Sequence, residues 1–452
     1  MKLTPLYREV LAITGGPGVP PSIGWRLEIT TPVKTHRALR VLSIDEIGDY
    51  INACGDELYV KAYFPGGDYV HEIYPYRNQL KATLYRDMLT GSDTSTDAPV
   101  QTQTFSALLL DAQDLQKEAQ TAAATKETGN LTQMLELTFQ LTETVLNQAL
   151  KTPVGGTFRD VDTPTLLKYL MTRTLGLLNN DEDSEPVKID MVESTNDEVH
   201  SAVVVETGVP LTSLGDYLHQ KISGIYSAGY AGYLKRGVWY IYPPYDVTRF
   251  ESEVKPTLTI VNIPRNQMPH VERTFRVTDN QVVILASGES RHVDKSDQTQ
   301  LNQGNGIRFA DAGKFMGDLV TVKDNKATVL RADNTNEFVV GPRPDKLNQI
   351  RSANTLLTTN RFFEMSKLAA TQGSYMLVEW QNADPSRLYP GMPTRVSYYE
   401  GGAIQHVDGV LVGMHAFHQS PEPAMTQRRH IVSAALTVFI QRAQTDTEDA
   451  NG

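Results

Sequence analysis

Apolar and polar residues alternate along much of the chain, most regularly in residues 375–442. In 431–440 the even positions are all apolar, whereas Ser433 and Thr437 interrupt the other face. This period of two is typical of a half-buried strand. With a further strand at 394–399, and with Pro-Gly and Gly-Gly pairs as turns, the pattern predicts a terminal β-meander of about three or four strands.

The first 160 residues show mostly the same pattern. Alternating segments predict strands at 25–29, 58–64, 105–110 and 131–145. The turn residues at 65–68 predict a hairpin that leads into 69–74. By contrast, 43–53 has isoleucines at helical spacing behind a Ser43 cap, which predicts a short helix. We therefore expect a small barrel or curved sheet of about six strands with a helix against it.

The pattern changes after residue 160. Leucines at helical spacing behind Pro164 predict a helix over 164–178, and an acidic link at 179–186 ends it. Further helices are predicted over 212–225 and 345–370. Strand patterns also return, at 237–242, 257–263 and 281–286.

These patterns predict an α+β chain that is predominantly β. We expect four regions, which are an N-terminal barrel (1–160), a mainly helical middle region (161–235), a mixed β region with a long loop and a helix (236–373), and the C-terminal meander (374–452). At 452 residues the chain is long enough for several domains.

Composition narrows the class of protein. The formal net charge of −11 argues against a nucleic-acid footprint, because neutralising phosphates requires clustered lysine and arginine. Neither an 18-residue apolar window nor a signal-peptide core is apparent, so we expect a soluble protein made in a reducing cytosol. The single cysteine, Cys54, is expected to be a small core residue rather than a nucleophile.

Motifs that carry chemistry have simpler structural explanations. The glycine-rich segment 13–18 lacks the lysine and the helix of a phosphate-binding loop. His415 and His418 would face opposite sides of a strand, so they would not share a metal ion. The acidic run 181–185 lacks the glycine and distal glutamate of a calcium loop. We therefore predict that the chain is not an enzyme and has no catalytic, cofactor-binding or metal-binding residues.

Aromatic residues cluster in 226–245. Such amphipathic rings suit protein interfaces or sugar platforms, and the alternative is that they are core residues. The interface candidates are Tyr226, Tyr230, Tyr233, Trp239 and Tyr242.

The same region carries a family resemblance. The segment GVWYIYPPYDVTRF at 237–250 resembles a block of the baseplate hub proteins of contractile-tailed bacteriophages. Further matching segments lie at 56–60, 73–80, 224–226, 257–264, 272–275, 306–312, 388–392 and 412–415. The resemblance spans most of the chain.

The resemblance implies a structural virion protein of the tail baseplate, synthesised in the host cytoplasm. Hub proteins are homotrimers in which each chain supplies two tube-like antiparallel β-barrels, here 1–160 and a second barrel completed by 374–452. Their pseudo-sixfold ring joins the tail tube to the central spike around the DNA channel.

The implied partners are further copies of the chain, the spike, the tube or tube-initiator protein, and the baseplate wedges, with DNA only as passing cargo and no membrane. The nearest alternative is another tube-initiator or baseplate protein. A receptor-binding or carbohydrate-binding tail component and a tail-associated hydrolase both rank below the hub.

Overall fold

The structure is a computed structural model. It describes residues 4–15, 22–89, 101–110, 134–178, 186–194, 196–269, 271–287, 308–311, 320–323, 326–329, 338–341, 360–400, 403–421 and 429–441.

Strands make up most of the described residues. In chain order they are β1 (Ser22–Thr30), β2 (Thr35–Arg37), β3 (Arg40–Asp49), β4 (Glu57–Pro65), β5 (Leu80–Leu89), β6 (Gln101–Leu109), β7 (Met134–Glu143), β8 (Pro153–Phe158), β9 (Val161–Asp162), β10 (Lys188–Met191), β11 (Val199–His200), β12 (Val203–Pro210), β13 (Ala231–Lys235), β14 (Val238–Tyr242), β15 (Thr257–Ile263), β16 (Phe275–Val277), β17 (Gln281–Ser287), β18 (Arg308–Asp311), β19 (Val320–Lys323), β20 (Lys326–Val329), β21 (Phe338–Gly341), β22 (Gly373–Gln381), β23 (Pro393–Glu400), β24 (Ala403–Gln419) and β25 (Arg429–Gln441).

Helices are fewer and lie mainly in the middle of the chain. The longer ones are α1 (Thr4–Thr14), α2 (Thr144–Lys151), α3 (Thr163–Leu178), α4 (Leu214–Lys221) and α5 (Arg361–Thr371). Short helical turns occupy Gly66–Asp68, Tyr69–Ile73, Tyr74–Tyr76, Leu211–Ser213, Val247–Phe250, Arg265–Gln267 and Pro385–Arg387.

Two closed rings of strands form the body of the protein. The first barrel runs β1-β5-β6-β7-β4-β3-β24-β25 and returns to β1. The second barrel runs β24-β25-β22-β17-β15-β23 and returns to β24. The β24–β25 hairpin therefore belongs to both barrels.

The two halves of the β24–β25 hairpin serve different barrels. The half nearer the tip contacts the first barrel, because 413–419 of β24 pairs with β3 and Arg429 and His430 of β25 pair with β1. The other half contacts the second barrel, where β24 pairs with β23 and β25 pairs with β22. One continuous inner face of the hairpin consequently faces both interiors.

Each barrel has its own apolar core. The core of the first is formed by buried residues of β1, β3–β7 and the helical turns after β4, including Leu27, Val60, Phe64 and Phe139. The core of the second contains Trp380, Leu436 and neighbouring residues of β15, β17 and β22–β25. The prediction of a predominantly β chain with two barrels and a mixed middle region is confirmed.

One strand departs from the expected antiparallel pattern. β15 pairs parallel with both β17 and β23. β15 and β17 are also apolar on both faces, because Val261 and Leu285 face outward and pack against α1 through Val10 and Ile13. A strand that is covered on both sides reads as a continuous apolar run rather than an alternation.

The middle region packs two helices against small sheets. α3 and α4 share a core with β12, β13 and β14, which includes Leu167, Leu214 and Trp239. β14 pairs antiparallel with β13 and parallel with β10. How the four predicted regions divide the chain stays a prediction; the shared hairpin connects the first and the last of them.

Several predicted elements are confirmed. The alternation in 131–145 forms β7, and the helix over 164–178 is α3. The strands expected at 25–29, 58–64, 105–110, 237–242, 257–263 and 281–286, and those of the terminal meander, are present. The helix over 212–225 is shorter, since α4 ends at Lys221 before Gly224, which has a φ of +86°. Of the helix over 345–370, only the part that contains α5 lies within the described residues.

The helix predicted over 43–53 is wrong, because most of this segment belongs to β3. The inner face of β3 carries Ile44, Glu46 and Gly48, so a charged residue and a glycine hide the alternation. Glu46, which reads as the partner of a Ser43 cap, instead points towards the barrel interior.

The hairpin predicted at 65–74 is also wrong. The chain after β4 forms consecutive helical turns before β5 begins at Leu80. Tyr69 and Ile73 are one helical turn apart, and both are buried in the core of the first barrel. β4 pairs with β3 and β7 instead of with the segment that follows it.

Truncation of a buried side chain on the shared hairpin should test the structural role of the hairpin. Leu436 is fully buried on β25, and Ser433 lies exposed on the opposite face of the same strand. We expect Leu436→Ala to lower the free energy of unfolding by about 2–5 kcal/mol, and Ser433→Ala to change it by about 0.5 kcal/mol or less. Chemical denaturation monitored by tryptophan fluorescence would measure both. Equal effects of the two substitutions would contradict the assigned register.

Candidate functional site: a buried ionic socket

A basic hairpin tip from the middle region inserts against the first barrel. β13 and β14 are joined by the two residues Arg236 and Gly237, whose φ angles are +52° and +72°. Positive φ at both central residues is the backbone of a type I′ turn, which matches the twist of a hairpin but is unfavourable for arginine.

Glu143 at the end of β7 holds this turn in place. Its carboxylate accepts hydrogen bonds from the backbone N–H of Arg236 at 2.7 Å and of Gly237 at 3.4 Å. The Arg236 guanidinium donates to the carbonyl oxygen of Ser386. The strained turn is therefore fixed from two sides, by the first barrel and by the turn before β23.

Lys235 is the most buried cation of the tip. Its Nζ donates to Glu46 Oε1 at 2.7 Å and to Asp56 Oδ2 at 2.6 Å, and its side chain is 1% exposed. Glu46 comes from β3 and Asp56 precedes β4. We call Glu46, Asp56 and Glu143, with the Lys235 and Arg236 that they bind, the ionic socket.

Aromatic rings enclose the cation. Lys235 Nζ lies 5.4 Å from the centroid of the Tyr50 ring, and this ring packs edge-on against Tyr233 with 4.8 Å between centroids. The Tyr233 hydroxyl donates to Asp56 Oδ1 at 2.8 Å. A desolvated cation over an aromatic face gains from the ring quadrupole as well as from its carboxylates.

The charges of the socket stabilise one another. Burial alone would raise the pKa of Glu46, but attraction to Lys235 and Arg236 outweighs it and lowers the pKa to about 2. Burial alone would lower the pKa of Lys235, and the two carboxylates reverse this and raise it. Burial and repulsion from Glu46 raise the pKa of Asp56. Lys235 and Glu46 are consequently an ion pair at neutral pH.

A second ion pair lies close by. Arg86 of β5 donates to Asp384 Oδ1 at 2.7 Å, and both side chains are largely buried. Asp384 also caps the turn Pro385–Arg387 by accepting from the Ser386 N–H at 3.1 Å. This turn is thereby joined to the first barrel through Arg86 and to the hairpin tip through Arg236.

Most of the predicted aromatic interface residues are core residues of this chain. Tyr226, Tyr233, Trp239 and Tyr242 are 3% exposed or less, and Tyr230 is half-buried. Tyr242 donates to the Tyr50 carbonyl at 2.7 Å, and Tyr226 donates to the Val192 carbonyl at 2.5 Å. Core packing, the alternative to an interface role, accounts for these rings in a single chain, and the interface role stays a prediction.

Other candidates from the sequence are dispersed. His415 is exposed and His418 buried, on opposite faces of β24 as expected. Cys54 is half-buried beside the core of the middle region. The acidic run 181–185 and residues 16–18 of the glycine-rich segment 13–18 lie outside the described residues.

A serine and a histidine meet in the middle region, but their hydrogen bonds oppose nucleophilic catalysis. The Ile225 N–H donates to His219 Nδ1 at 3.0 Å, so the neutral ring carries its proton on Nε2, 3.3 Å from Ser366 Oγ. The Ser366 hydroxyl donates instead to the Phe363 carbonyl at 2.6 Å. The imidazole therefore does not accept the serine proton.

Within the described residues, we find no cluster of three or more His, Cys, Asp or Glu side chains arranged to hold a metal ion. Nor does that part of the chain contain a helix long and apolar enough to cross a bilayer.

Neither a family model nor a curated protein matches the sequence. The solved structures that are similar to this chain include tail, baseplate and secretion-system proteins. A tail protein from Neisseria meningitidis MC58 shares 11% identity over 92% of this chain and 96% of its own, with a TM-score of 0.43.

Two further solved structures are similar over comparable lengths. The 43 kDa tail protein of prophage MuSo2 from Shewanella oneidensis has 8% identity, covers 91% of this chain and 96% of its own, and gives a TM-score of 0.44. The E. coli c3393 protein, a type VI secretion component, has 8% identity over 92% of this chain and 77% of its own, with a TM-score of 0.40.

No pattern in the sequence marks the ionic residues of the socket. Lys235 and Glu46 are 189 positions apart, and nothing local marks them as partners. The one local signal is the pair Arg236-Gly237 between two alternating segments, which is typical of a hairpin turn. The charged residue on the inner face of β3 is recognisable only once β3 is known to be a strand.

Removal of the buried cation should destabilise the protein. Lys235→Met leaves Glu46 and Asp56 buried without their partner, so we expect a loss of about 3–5 kcal/mol in the free energy of unfolding. The control is Lys61→Met, because Lys61 forms an exposed pair with Glu136 at 3.9 Å and should cost less than about 1 kcal/mol. Denaturant unfolding of both variants would compare them, and equal losses would show that the buried pair contributes nothing special.

Acid should weaken the socket through Glu46. Its pKa of about 2 in the folded protein is below the value of about 4.3 expected in the unfolded chain. The stability it contributes is thus present above about pH 4.3 and is lost as the pH falls through 2, up to about 3 kcal/mol. Unfolding free energies measured between pH 5 and 2 should fall less steeply in Glu46→Gln than in the parent protein. Parallel pH profiles would contradict the assigned ion pair.

Proposed function

We propose that this chain is a structural hub protein of a contractile-tail baseplate, in which three copies form a ring that joins the tail tube to the central spike. The observation that carries the proposal is the pair of closed barrels fused through the single β24–β25 hairpin. Three such chains present six barrels while keeping threefold symmetry, which is the geometry that an adapter between sixfold and threefold structures requires.

The fusion suits a load-bearing ring. Because β24 and β25 run through both barrels, neither barrel can rotate about a flexible linker. Closure of each barrel also leaves few exposed strand edges that could pair with the wrong partner. The ionic socket adds a second attachment, since it fixes the middle region to the first barrel.

The internal ionic groups support a structural rather than an enzymatic role. Lys235 and Arg86 pair with carboxylates of other elements of the same chain. Arg395 of β23 forms a bidentate pair with Asp408 of β24, at 2.6 and 2.9 Å, and stacks over Phe250. These charges hold elements together.

The proposed location is the virion, in the tail baseplate, after synthesis in the host cytoplasm. The proposed partners are two further copies of the chain, the central spike, the tail tube or its initiator protein, and the baseplate wedges. DNA passes through the ring as cargo.

The mass of the purified full chain in solution tests this proposal. Light scattering over a range of concentrations should reveal a trimer, and electron-microscopy class averages of that species should reveal six barrel-sized densities around a channel. A hexamer would favour a tube-like ring and contradict the adapter role. A monomer at every concentration would contradict self-assembly of the ring, and glycan binding by the isolated chain would favour a receptor-binding component.

A further inference from the structure

A small cavity lies at the end of the first barrel beside the ionic socket. Its volume is about 40 Å³, and apolar residues such as Leu58 and Leu84 form part of its wall. The polar groups that line it include Glu46, Arg86 and His418. The space suffices for at least one water molecule, which needs about 10–15 Å³.

The hydrogen bonds of His418 fix its tautomer. The Trp25 indole Nε1–H donates to His418 Nδ1 at 3.3 Å, and the two rings pack edge-on with 5.4 Å between centroids. An indole nitrogen can only donate, so Nδ1 must carry the lone pair. The neutral ring therefore carries its proton on Nε2.

His418 lines the cavity, and its buried Nε2 has no hydrogen-bond partner among the described residues. The His418 side chain is 3% exposed. The nearest carboxylate oxygen, Glu46 Oε2, is 4.0 Å away, too far for a direct hydrogen bond. A buried donor and an oxygen of a largely buried carboxylate are thus 4.0 Å apart.

The surroundings keep the imidazole neutral. Burial lowers the pKa of His418 to about 4, against the attraction of Glu46. The other charged or titratable groups that act on the ring are His430 and Arg86, which also disfavour the imidazolium, and Asp384, which favours it. Protonation at Nδ1 would in addition place two hydrogen-bond donors, the Trp25 N–H and the Nδ1–H, opposite each other.

The groups on either side of the separation between His418 Nε2 and Glu46 Oε2 determine which ligand can bind there. A ligand must accept from His418 Nε2–H and also approach the Glu46 carboxylate. A cation cannot accept the hydrogen bond, and an anion would be repelled by Glu46. Water accepts and donates at once, and two ordinary hydrogen bonds at one water oxygen can bridge a 4.0 Å separation.

We propose that this cavity binds a structural water molecule, which accepts a hydrogen bond from His418 Nε2 and donates one to Glu46 Oε2. Because the other oxygen of Glu46 accepts from Lys235, the water completes a chain of hydrogen bonds from Trp25 on β1, through His418 on β24 and Glu46 on β3, to the hairpin tip. The chain links the shared hairpin to the ionic socket. This inference is independent of the proposed function.

Nuclear magnetic resonance of the full chain with ¹⁵N-labelled histidine tests the site at neutral pH. The His418 signals, identified by their loss in His418→Gln, should show the neutral Nε2–H tautomer and a nuclear Overhauser effect from Hε2 to a bound water. An Nδ1–H tautomer, an imidazolium, or the absence of any water contact at Hε2 would overturn the proposal.

The substitution Trp25→Phe keeps an aromatic ring but removes the donor. We expect the His418 signals of this variant to shift towards a mixture of both tautomers, and the pKa of His418 to rise. An unchanged tautomer would show that Trp25 does not fix the ring. A crystal structure of the parent protein that resolves ordered water gives a second readout: an ion at the site, or direct contact of Nε2 with Glu46, would also overturn the proposal.

Discussion

The pairing of β24 with β25 is the constraint on which the rest of the architecture depends. Both barrels close only through this hairpin, because β3 and β23 pair successively along one of its edges and β1 and β22 along the other. Its inner face carries Leu436 and Val438 into the core of the second barrel. The two barrels are for this reason one rigid unit whose relative orientation is set by backbone hydrogen bonds rather than by a linker.

The ionic socket adds specificity to this frame. A buried ion pair is weak evidence for stability, because desolvation of the charges offsets much of their attraction. The ion pairs of the socket instead fix the position of the β13–β14 hairpin. Lys235 can bind both Glu46 and Asp56 only if the tip of the β13–β14 hairpin lies at one depth against the first barrel. Glu143 can reach the backbone of Arg236 only if the turn keeps its left-handed conformation. These contacts offset the conformational free energy of the left-handed turn, and they fix the position of the middle region on the first barrel.

The same arrangement bears on function. Polar groups that might suggest chemistry are engaged in internal hydrogen bonds and ion pairs. Ser366 directs its proton to the Phe363 carbonyl within α5, and Arg86 binds Asp384. The barrels present a rigid frame, and the proposed hub function requires such a frame because the ring must transmit load between structures of different symmetry without bending. Aromatic residues that suggested an interface, such as Tyr233 and Tyr242, stabilise the junction from within.

The sequence by itself determined the local elements with a clear period. β7 and β25 alternate because one face of each is buried, and α3 shows leucines at helical spacing because one side packs against a core. The sequence pattern did not reveal a strand where one of the strand's inner positions is polar. Because Glu46 interrupts the apolar alternation, the segment of β3 is predicted as a helix. No pattern near Lys235 indicates that Glu46 is its partner. Only the tertiary structure decided how the barrels close and where the charges pair. Periodicity reports the geometry of a few neighbouring residues, whereas ring closure and ion pairing join residues hundreds of positions apart.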